Sequence, residues 1–374
     1  MPVKPWRVIV KAIVIFCVLN FAFIYLYPWL SDLQVYNHVV PGRLRFPWAQ
    51  PELELTVHSL SLYEAMDAMF ASHMISANDK PADEFRVIFL GDSSFWGDGI
   101  SVSGTLPEQI NRLDLQNCHS QRIVAYNLAL PSLYVMKDFL ILNKAMKYKP
   151  DLIVWGVTLR SLGYSDQNAS LFLPSQSDDA LYLIHRYNLN LSTAILKPTT
   201  LWDRTLLVDR SNVKNLVIYQ MDALPWIATG VDSNITSSLQ SQIGNDVDPK
   251  NISMLHGTTV SPDNLMLDVL SSADDLAAPA PILIVNEPIF IATGKNSSKY
   301  YNVFYPRSLY DQYRNILSDW ANSHHQPYID VWDRVANYEF TDTPFHLSVN
   351  GEKQLASILS PAILGLSCSQ QMLH

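Results

Sequence analysis

The chain has 374 residues, of which 48% are hydrophobic and 16% charged, and its formal net charge is −9. A chain this long and this apolar can bury an ample core and does not belong with disordered segments. Lys and Arg are not clustered beyond the first eleven residues, which argues against nucleic acid as a partner.

Near the N-terminus, Lys4, Arg7 and Lys11 precede an apolar stretch, residues 12–30, in which Asn20 is the one clearly polar side chain. As a helix, such a stretch crosses a hydrocarbon core of roughly 30 Å. Tyr25, Tyr27 and Trp29 sit at its far end, where an aromatic belt belongs. Basic residues before the span and none just after it predict an N-terminus inside and the bulk of the chain outside. The run is long for the apolar region of a secretory signal, and no small-x-small cleavage site follows it. It therefore reads as an uncleaved signal anchor rather than a removed leader.

Residues 31–84 read as a juxtamembrane section and linker, with turns at Pro41-Gly42 and Phe46-Pro47-Trp48 and a helical stripe from Leu62 to Met74. From residue 85 onward, strands alternate with helices. Strand signals fall at Phe85–Leu90, Arg122–Tyr126, Asp151–Gly156, Pro281–Asn286 and Pro327–Trp332. Helical patterns fall at Thr105–Leu115, Leu133–Tyr148, Tyr310–Trp320 and Val349–Leu359. This rhythm implies an α/β domain over 85–374 built on a parallel five-stranded sheet. Between strands three and four the rhythm breaks, so residues 161–279 read as an inserted, mostly helical cap.

Of the three cysteines, Cys17 falls in the apolar span, while Cys118 and Cys368 are free to pair in an oxidising compartment. No metal-ligand spacing such as C-x-x-C or H-E-x-x-H is present.

Gly91-Asp92-Ser93-Ser94 follows the first strand, at the C-terminal sheet edge where open α/β folds do their chemistry. That makes Ser93 a candidate nucleophile, although on this tetrapeptide alone a plain helix cap explains the residues equally well. A serine nucleophile needs an imidazole base and a third group to hold its tautomer. Asp342-Thr-Pro-Phe-His346 lies in the turn between strand five and the last helix, at the same edge. His346 is the candidate base and Asp342 the candidate orienting acid. Glu287 and Arg160, at the ends of strands four and three, are candidate substrate contacts of lower rank, as is Asn127 after strand two. Tyr301, Tyr305, Arg307 and Tyr310 are more often packing than a sugar platform.

These residues resemble the SGNH (GDSL-type) hydrolase superfamily over about residues 85–362. Gly91-Asp92-Ser93 with Gly97 matches its first block. Asp342 with His346-Leu347-Ser348 and Gly351 matches its last. The resemblance implies a three-layer, flavodoxin-like fold and acyl transfer from ester, thioester or amide substrates. It is narrower for the membrane-anchored, extracytoplasmic branch associated with surface glycans.

The family's second-block glycine is replaced by Ala129, and its third-block Asn is absent, with Thr158 nearby. The resemblance thus implies an oxyanion hole from the backbone N–H groups of Ser93 and Ala129 and the hydroxyl of Thr158, with Asn127 or Asn286 as substitute donors. The family's usual spacing would put Thr343 in the acid's place. Asp342 is the choice here, with Glu339 in reserve. The expected activity is removal of O-acyl groups, such as acetyl, from a surface glycan or lipid-linked substrate without a metal or organic cofactor. An O-acyltransferase with the same three residues and a non-catalytic scaffold for glycan assembly are the alternatives.

Overall fold

A computed structural model describes residues 4–31, 42–46, 66–77, 79–163, 174, 176–211, 213–214, 217–218, 221, 243–248 and 259–369. Much of the expected cap, and residues 62–65 of the expected juxtamembrane helix, lie outside the described residues.

Five parallel strands form one sheet in the order β2-β1-β3-β4-β5. They are β1 (Glu84–Leu90), β2 (Arg122–Asn127), β3 (Leu152–Val157), β4 (Ile282–Asn286) and β5 (Tyr328–Asp330). Every residue of β1, β3 and β4 is buried, which is why each holds an unbroken apolar run, 87–90, 152–157 and 282–285, instead of alternating with polar residues, while Glu84 and Arg86 at the start of β1 pair with each other. Successive side chains feed opposite layers. Ile88, Leu90, Ile153, Trp155 and Ile284 enter one core, and Val87, Phe89, Val154 and Val285 the other.

Ahead of the sheet come α1 (Pro5–Ser31) and α2 (Met66–Ser72), which pack together. The single turn α3 (Ser93–Trp96) and then α4 (Leu106–Arg112) follow β1, and α5 (Val135–Ala145) follows β2. After β3 come α6 (Leu159–Leu162), α7 (Ser177–Tyr187) and α8 (Leu267–Ala277). Then α9 (Arg307–His324) precedes β5, and α10 (Val349–Ser369) closes the chain. Helices α5, α8 and α9 contribute to the first core, and α4 and α10 to the second. The result is three layers. The range 161–279, expected as an insertion, includes α8, which packs on α5 as an ordinary covering helix of the sheet.

Two helices run past their expected ends. α9 starts at Arg307, directly after Pro306, whose extended backbone closes the preceding loop, and it continues to His324, with His325 in a left-handed cap. Ring stacking of His324 on Trp320 accompanies that last turn. α10 passes through Pro361 to Ser369, because a continuous buried stripe of Leu355, Leu359 and Ile363 outweighs the one backbone bond proline removes. Tyr305 and Tyr310 are fully buried and Tyr301 nearly so, so this aromatic stretch packs the core.

The sheet positions the site. In the order 2-1-3-4-5, the chain leaves β1 in both directions, so the C-terminal ends of β1 and β3 flank the point where connections diverge. Crevices of this kind are where open α/β sheets hold ligands. Ser93 and Thr158 follow these two strands.

Candidate active site

β1 ends at Leu90, and the chain turns sharply through Gly91 into α3. Asp92 is the N-cap of that turn, its carboxylate accepting from the Ser94 N–H at 2.8 Å. Gly97 ends it with φ +86°, and a Cβ there would come within 2.5 Å of the Thr105 methyl group. Both readings of Gly-Asp-Ser-Ser are therefore present at once. Asp92 caps, and Ser93 is the first helical residue, half-exposed, with no intrahelical acceptor for its own N–H.

On the other side, the turn between β5 and α10 brings Asp342 and His346 to the same edge. His346 Nε2 lies 2.8 Å from Ser93 Oγ, and His346 Nδ1 lies 3.0 Å from Asp342 Oδ1. The carboxylate holds the proton on Nδ1 and leaves Nε2 to accept from the serine hydroxyl. Thr343 is not the acid: its hydroxyl accepts from the His346 backbone N–H at 3.1 Å and so fixes the turn. Glu339 accepts from the Ser348 hydroxyl instead of from His346. Thus a spacing of four, not three, carries the carboxylate to the imidazole.

His346 is 5% exposed, its ring set edge-on against Phe345. Burial alone would lower its pKa. The hydrogen bond to Asp342 and the charges of Asp98, Asp342 and Asp92 outweigh burial and raise it above the ordinary histidine value. For Asp342, burial opposes ionisation, but the His346 contact and the Thr341 hydroxyl hold its pKa below the usual range.

Asp98 is the residue that sequence reasoning missed. Its Oδ2 lies 3.9 Å from His346 Nε2, which places a carboxylate beside the nitrogen that faces the serine. The only signal for it in the sequence is an acid between Gly97 and Gly99. Arg45 was also missed, lying in a stretch read as linker. Its guanidinium donates to Gly97 O at 2.7 Å and stacks on Trp96 at 3.8 Å, and so braces the turn that carries Ser93.

The remaining candidates fall in different places. Asn127 is buried, its amide donating to Phe95 O at 3.1 Å and its carbonyl accepting from the Ala129 N–H at 3.2 Å. It ties β2 to the turn that carries Ser93 and, at 1% exposed, does not reach the surface expected for a substrate contact. The Ala129 N–H expected at the oxyanion hole is thereby committed to Asn127. Its neighbours are committed too, since Leu128 N–H donates to Phe89 O and Leu130 N–H to Gly91 O. Thr158 caps α6, its hydroxyl oxygen accepting from the Ser161 N–H, and it is fully buried. Asn286 lies in the core with Tyr313 and Asp330.

Glu287 is fully buried behind α3 and accepts from the Ser94 hydroxyl. Burial, then the charge of Asp92, pushes its pKa well above the carboxylate range. Its partner surface is Gly156, where any Cβ would meet Glu287 Oε1 at 2.4 Å. Arg160 alone reaches the rim. It stacks on Phe304 at 4.9 Å, Phe304 packs on Phe345, and Phe345 lies against His346.

Lys137, on α5, is fully buried. Its Nζ donates to Gly91 O at 2.9 Å, to Ser132 O at 2.9 Å and to Leu130 O, and it pairs with Asp138 at 3.0 Å. One cation thus clamps the end of β1 to the loop after β2. Ser132 in that loop has φ +120°, uncommon for a residue with a side chain.

No family model matches the chain, and no curated protein matches it. Solved structures do. A carbohydrate acetylesterase family member from Sinorhizobium meliloti is 13% identical, with 75% of this chain and 98% of that chain covered and a TM-score of 0.32. Est24, a carbohydrate acetylesterase from Sinorhizobium meliloti, is 11% identical over 75% and 99% of the two chains, with a TM-score of 0.33. A lipase/acylhydrolase from Enterococcus faecalis is 13% identical over 75% and 96%, with a TM-score of 0.32. Scores this low carry no functional argument, and the chemistry of the site rests on its own residues.

Proposed function

We propose that this chain is a serine esterase, anchored in a membrane by α1 with its α/β domain on the outer side, that removes O-acyl groups from a surface glycan or lipid-linked substrate. The observation that carries this reading is the continuous hydroxyl–imidazole–carboxylate chain of Ser93, His346 and Asp342, with contacts of 2.8 and 3.0 Å. α1 supports the anchor, because Pro5–Tyr27 is long and apolar enough to cross a membrane. On this reading residues 1–30 are the anchor and its cytoplasmic tip, 31–84 a juxtamembrane section and 85–374 the enzyme domain.

In the proposed reaction, Ser93 Oγ attacks the ester carbonyl as its proton passes to His346 Nε2. Asp342 stabilises the imidazolium that forms. His346 then protonates the departing alkoxide, which leaves an acyl-Ser93. Water enters, gives its proton to the same nitrogen and releases the acid. The Ser93 N–H, at the start of α3, is one donor to the tetrahedral oxyanion. Asp98 favours the imidazolium state and repels anionic groups from the serine. Arg160 meets the acyl or sugar portion at the rim.

The commitment of the Ala129 N–H to Asn127 favours a second reading, a non-catalytic domain of the same architecture that scaffolds glycan assembly. Release of p-nitrophenol from p-nitrophenyl acetate by the full chain in detergent separates the two. The esterase reading expects turnover that Ser93→Ala abolishes. Background turnover unchanged by Ser93→Ala sinks it. Acyl transfer to a sugar hydroxyl instead of water would register as an acylated acceptor in the same assay.

A further inference from the structure

We propose that residues 201–211 form a membrane-surface element, fastened to the anchor helix and seated in the outer lipid leaflet beside it. This rests on the reading of α1 as a membrane anchor, and it adds a second attachment that the sequence does not announce.

The first observation is the fate of Asn20. It is the one clearly polar side chain in the apolar span, yet it is only 7% exposed. Its Oδ1 accepts from the Leu207 backbone N–H at 2.9 Å, and its Nδ2 donates to Phe16 O at 2.9 Å. Leu207 lies in the first turn of a helical stretch that starts after Thr205, with Asp209 N–H donating to Thr205 O. Its N–H is one of the donors a helix start leaves without an intrahelical partner. Asn20 therefore caps a helix 187 residues away in sequence. In lipid, where water satisfies nothing, both groups need that bond.

The second observation is exposure. Leu201 is 70% exposed, Trp202 57%, and Leu206, Leu207 and Val208 are exposed as well. Val217 and Met221 continue the same character. Arg204, paired with Asp178 at 3.1 Å, and Arg210 are exposed among them, with Asp203 and Asp209 beside them, a mixture of apolar, aromatic and charged side chains that suits a headgroup boundary. The patch is continuous with α1, whose Leu19, Phe21 and Leu26 are exposed on the sides of the helix that Asn20 and Phe23 do not occupy. An apolar surface of this kind, unbroken from a membrane-crossing helix, fits lipid as its occupant.

The depth agrees. Five to nine residues separate Asn20 from the aromatic belt of Tyr25, Tyr27 and Trp29 at the far end of the span, or roughly 8–14 Å along a helix. Amphipathic helices lie about 5–10 Å into the boundary between headgroups and acyl chains.

The test uses the full chain in phosphatidylcholine/phosphatidylglycerol vesicles, with Cys17, Cys118 and Cys368 replaced by Ser. Single cysteines are introduced by Trp202→Cys, Leu206→Cys, Val14→Cys and Tyr338→Cys and labelled with bimane. Quenching by lipids brominated in the upper acyl chain is compared with quenching by aqueous iodide. The proposal expects about twofold bromolipid quenching at 202 and 206, deep-lipid quenching at 14, and iodide quenching alone at 338, which is exposed on the far domain. Adding Asn20→Leu is expected to weaken lipid quenching at 202 while leaving it intact at 14. Lipid quenching at 14 with iodide quenching at 202 and 206 overturns the proposal and leaves the anchor standing. Absence of lipid quenching at 14 overturns the anchor itself, and the proposal with it. Shielding of 202 and 206 from both quenchers means that protein, a second copy included, covers the patch, and it also overturns the proposal.

Discussion

Replacing Lys137 by Met removes a buried cation while keeping the length and most of the volume of the side chain. The ammonium makes three hydrogen bonds to carbonyls, those of Gly91, Leu130 and Ser132, and pairs with Asp138. Hydrogen bonds to charged groups are worth about 1.5–3 kcal/mol each, so the gross loss is about 5–9 kcal/mol. Against this stands the cost of burying the ammonium, several kcal/mol, which Met does not incur. Asp138 softens the loss further. Burial, only partly countered by Lys137, already brings its pKa up to about 7, so without the cation it takes up a proton instead of remaining a bare charge. The net expectation is a loss of about 3 kcal/mol, within the range for breaking a buried network, or a fall in melting temperature of about 6–12 °C.

The sharper expectation is kinetic. Gly91 precedes the nucleophile turn, and Leu130 and Ser132 line the adjoining loop, so their release should lower the rate of Ser93 acylation by ~10²-fold. Circular dichroism melts and pre-steady-state p-nitrophenol bursts measure the two effects separately. Adding Asp138→Asn to Lys137→Met should restore part of the stability and none of the rate. A folded Lys137→Met protein with the wild-type burst rate would refute the clamp, and recovery of rate along with stability would reduce it to a general packing effect.

Four further outcomes follow from the site and from the cysteines. Asp98→Asn removes a charge that raises the His346 pKa, so the rise of activity with pH should move to lower pH; an unmoved profile would remove Asp98 from the site's electrostatics. The raised His346 pKa also contributes stability that is full below about pH 6.5 and is lost as pH rises through the folded value, and chemical denaturation across that window measures it. Asp342→Asn should cost ~10³–10⁴-fold in turnover by spoiling the imidazole tautomer, with the fold retained by circular dichroism, whereas Thr343→Ala should cost far less. Finally, the Cys118 N–H lies 3.1 Å from Cys368 Sγ, so oxidised glutathione should link the two thiols with release of two reduced glutathione molecules. A non-reducing peptide map containing only unlinked Cys118 and Cys368 peptides would contradict that closeness.

Much of this arrangement was legible because burial leaves a simple trace. β1, β3 and β4 are buried on both faces and so each contains a short unbroken apolar run. Ser93, Asp342 and His346, which meet at the sheet edge, could be singled out by residue type and by their place after β1 and before α10, although the spacing of four departs from the family's three. Lys137 was not, since a lysine in a helical pattern reads as solvent-facing until the carbonyl of Gly91, 46 residues earlier, and those of the loop just before its own helix converge on it. Asp98 and Arg45 escaped for the same reason: Asp98 gains its meaning from the distant turn that carries His346, and Arg45 from the turn after β1 that the juxtamembrane chain reaches. The oxyanion donors fared worst. Ala129 stands at a plausible sequence position, but the bond to Asn127 that occupies its N–H is made by folding and is invisible beforehand, and Thr158 is buried as the cap of α6. Asn20 is the reverse case, a polar residue that looked like a flaw in an apolar span and has a partner 187 residues away.

The most direct measurement is intact-mass and peptide analysis of the full chain after reaction with a fluorophosphonate. Attack by Ser93 Oγ expels fluoride and leaves one phosphonyl adduct. The account predicts that adduct on the peptide bearing Ser93, its loss in Ser93→Ala, and its strong slowing in His346→Gln. An unmodified chain, or an adduct that persists in Ser93→Ala, would contradict the claim that Ser93, His346 and Asp342 act together as a nucleophile and its base.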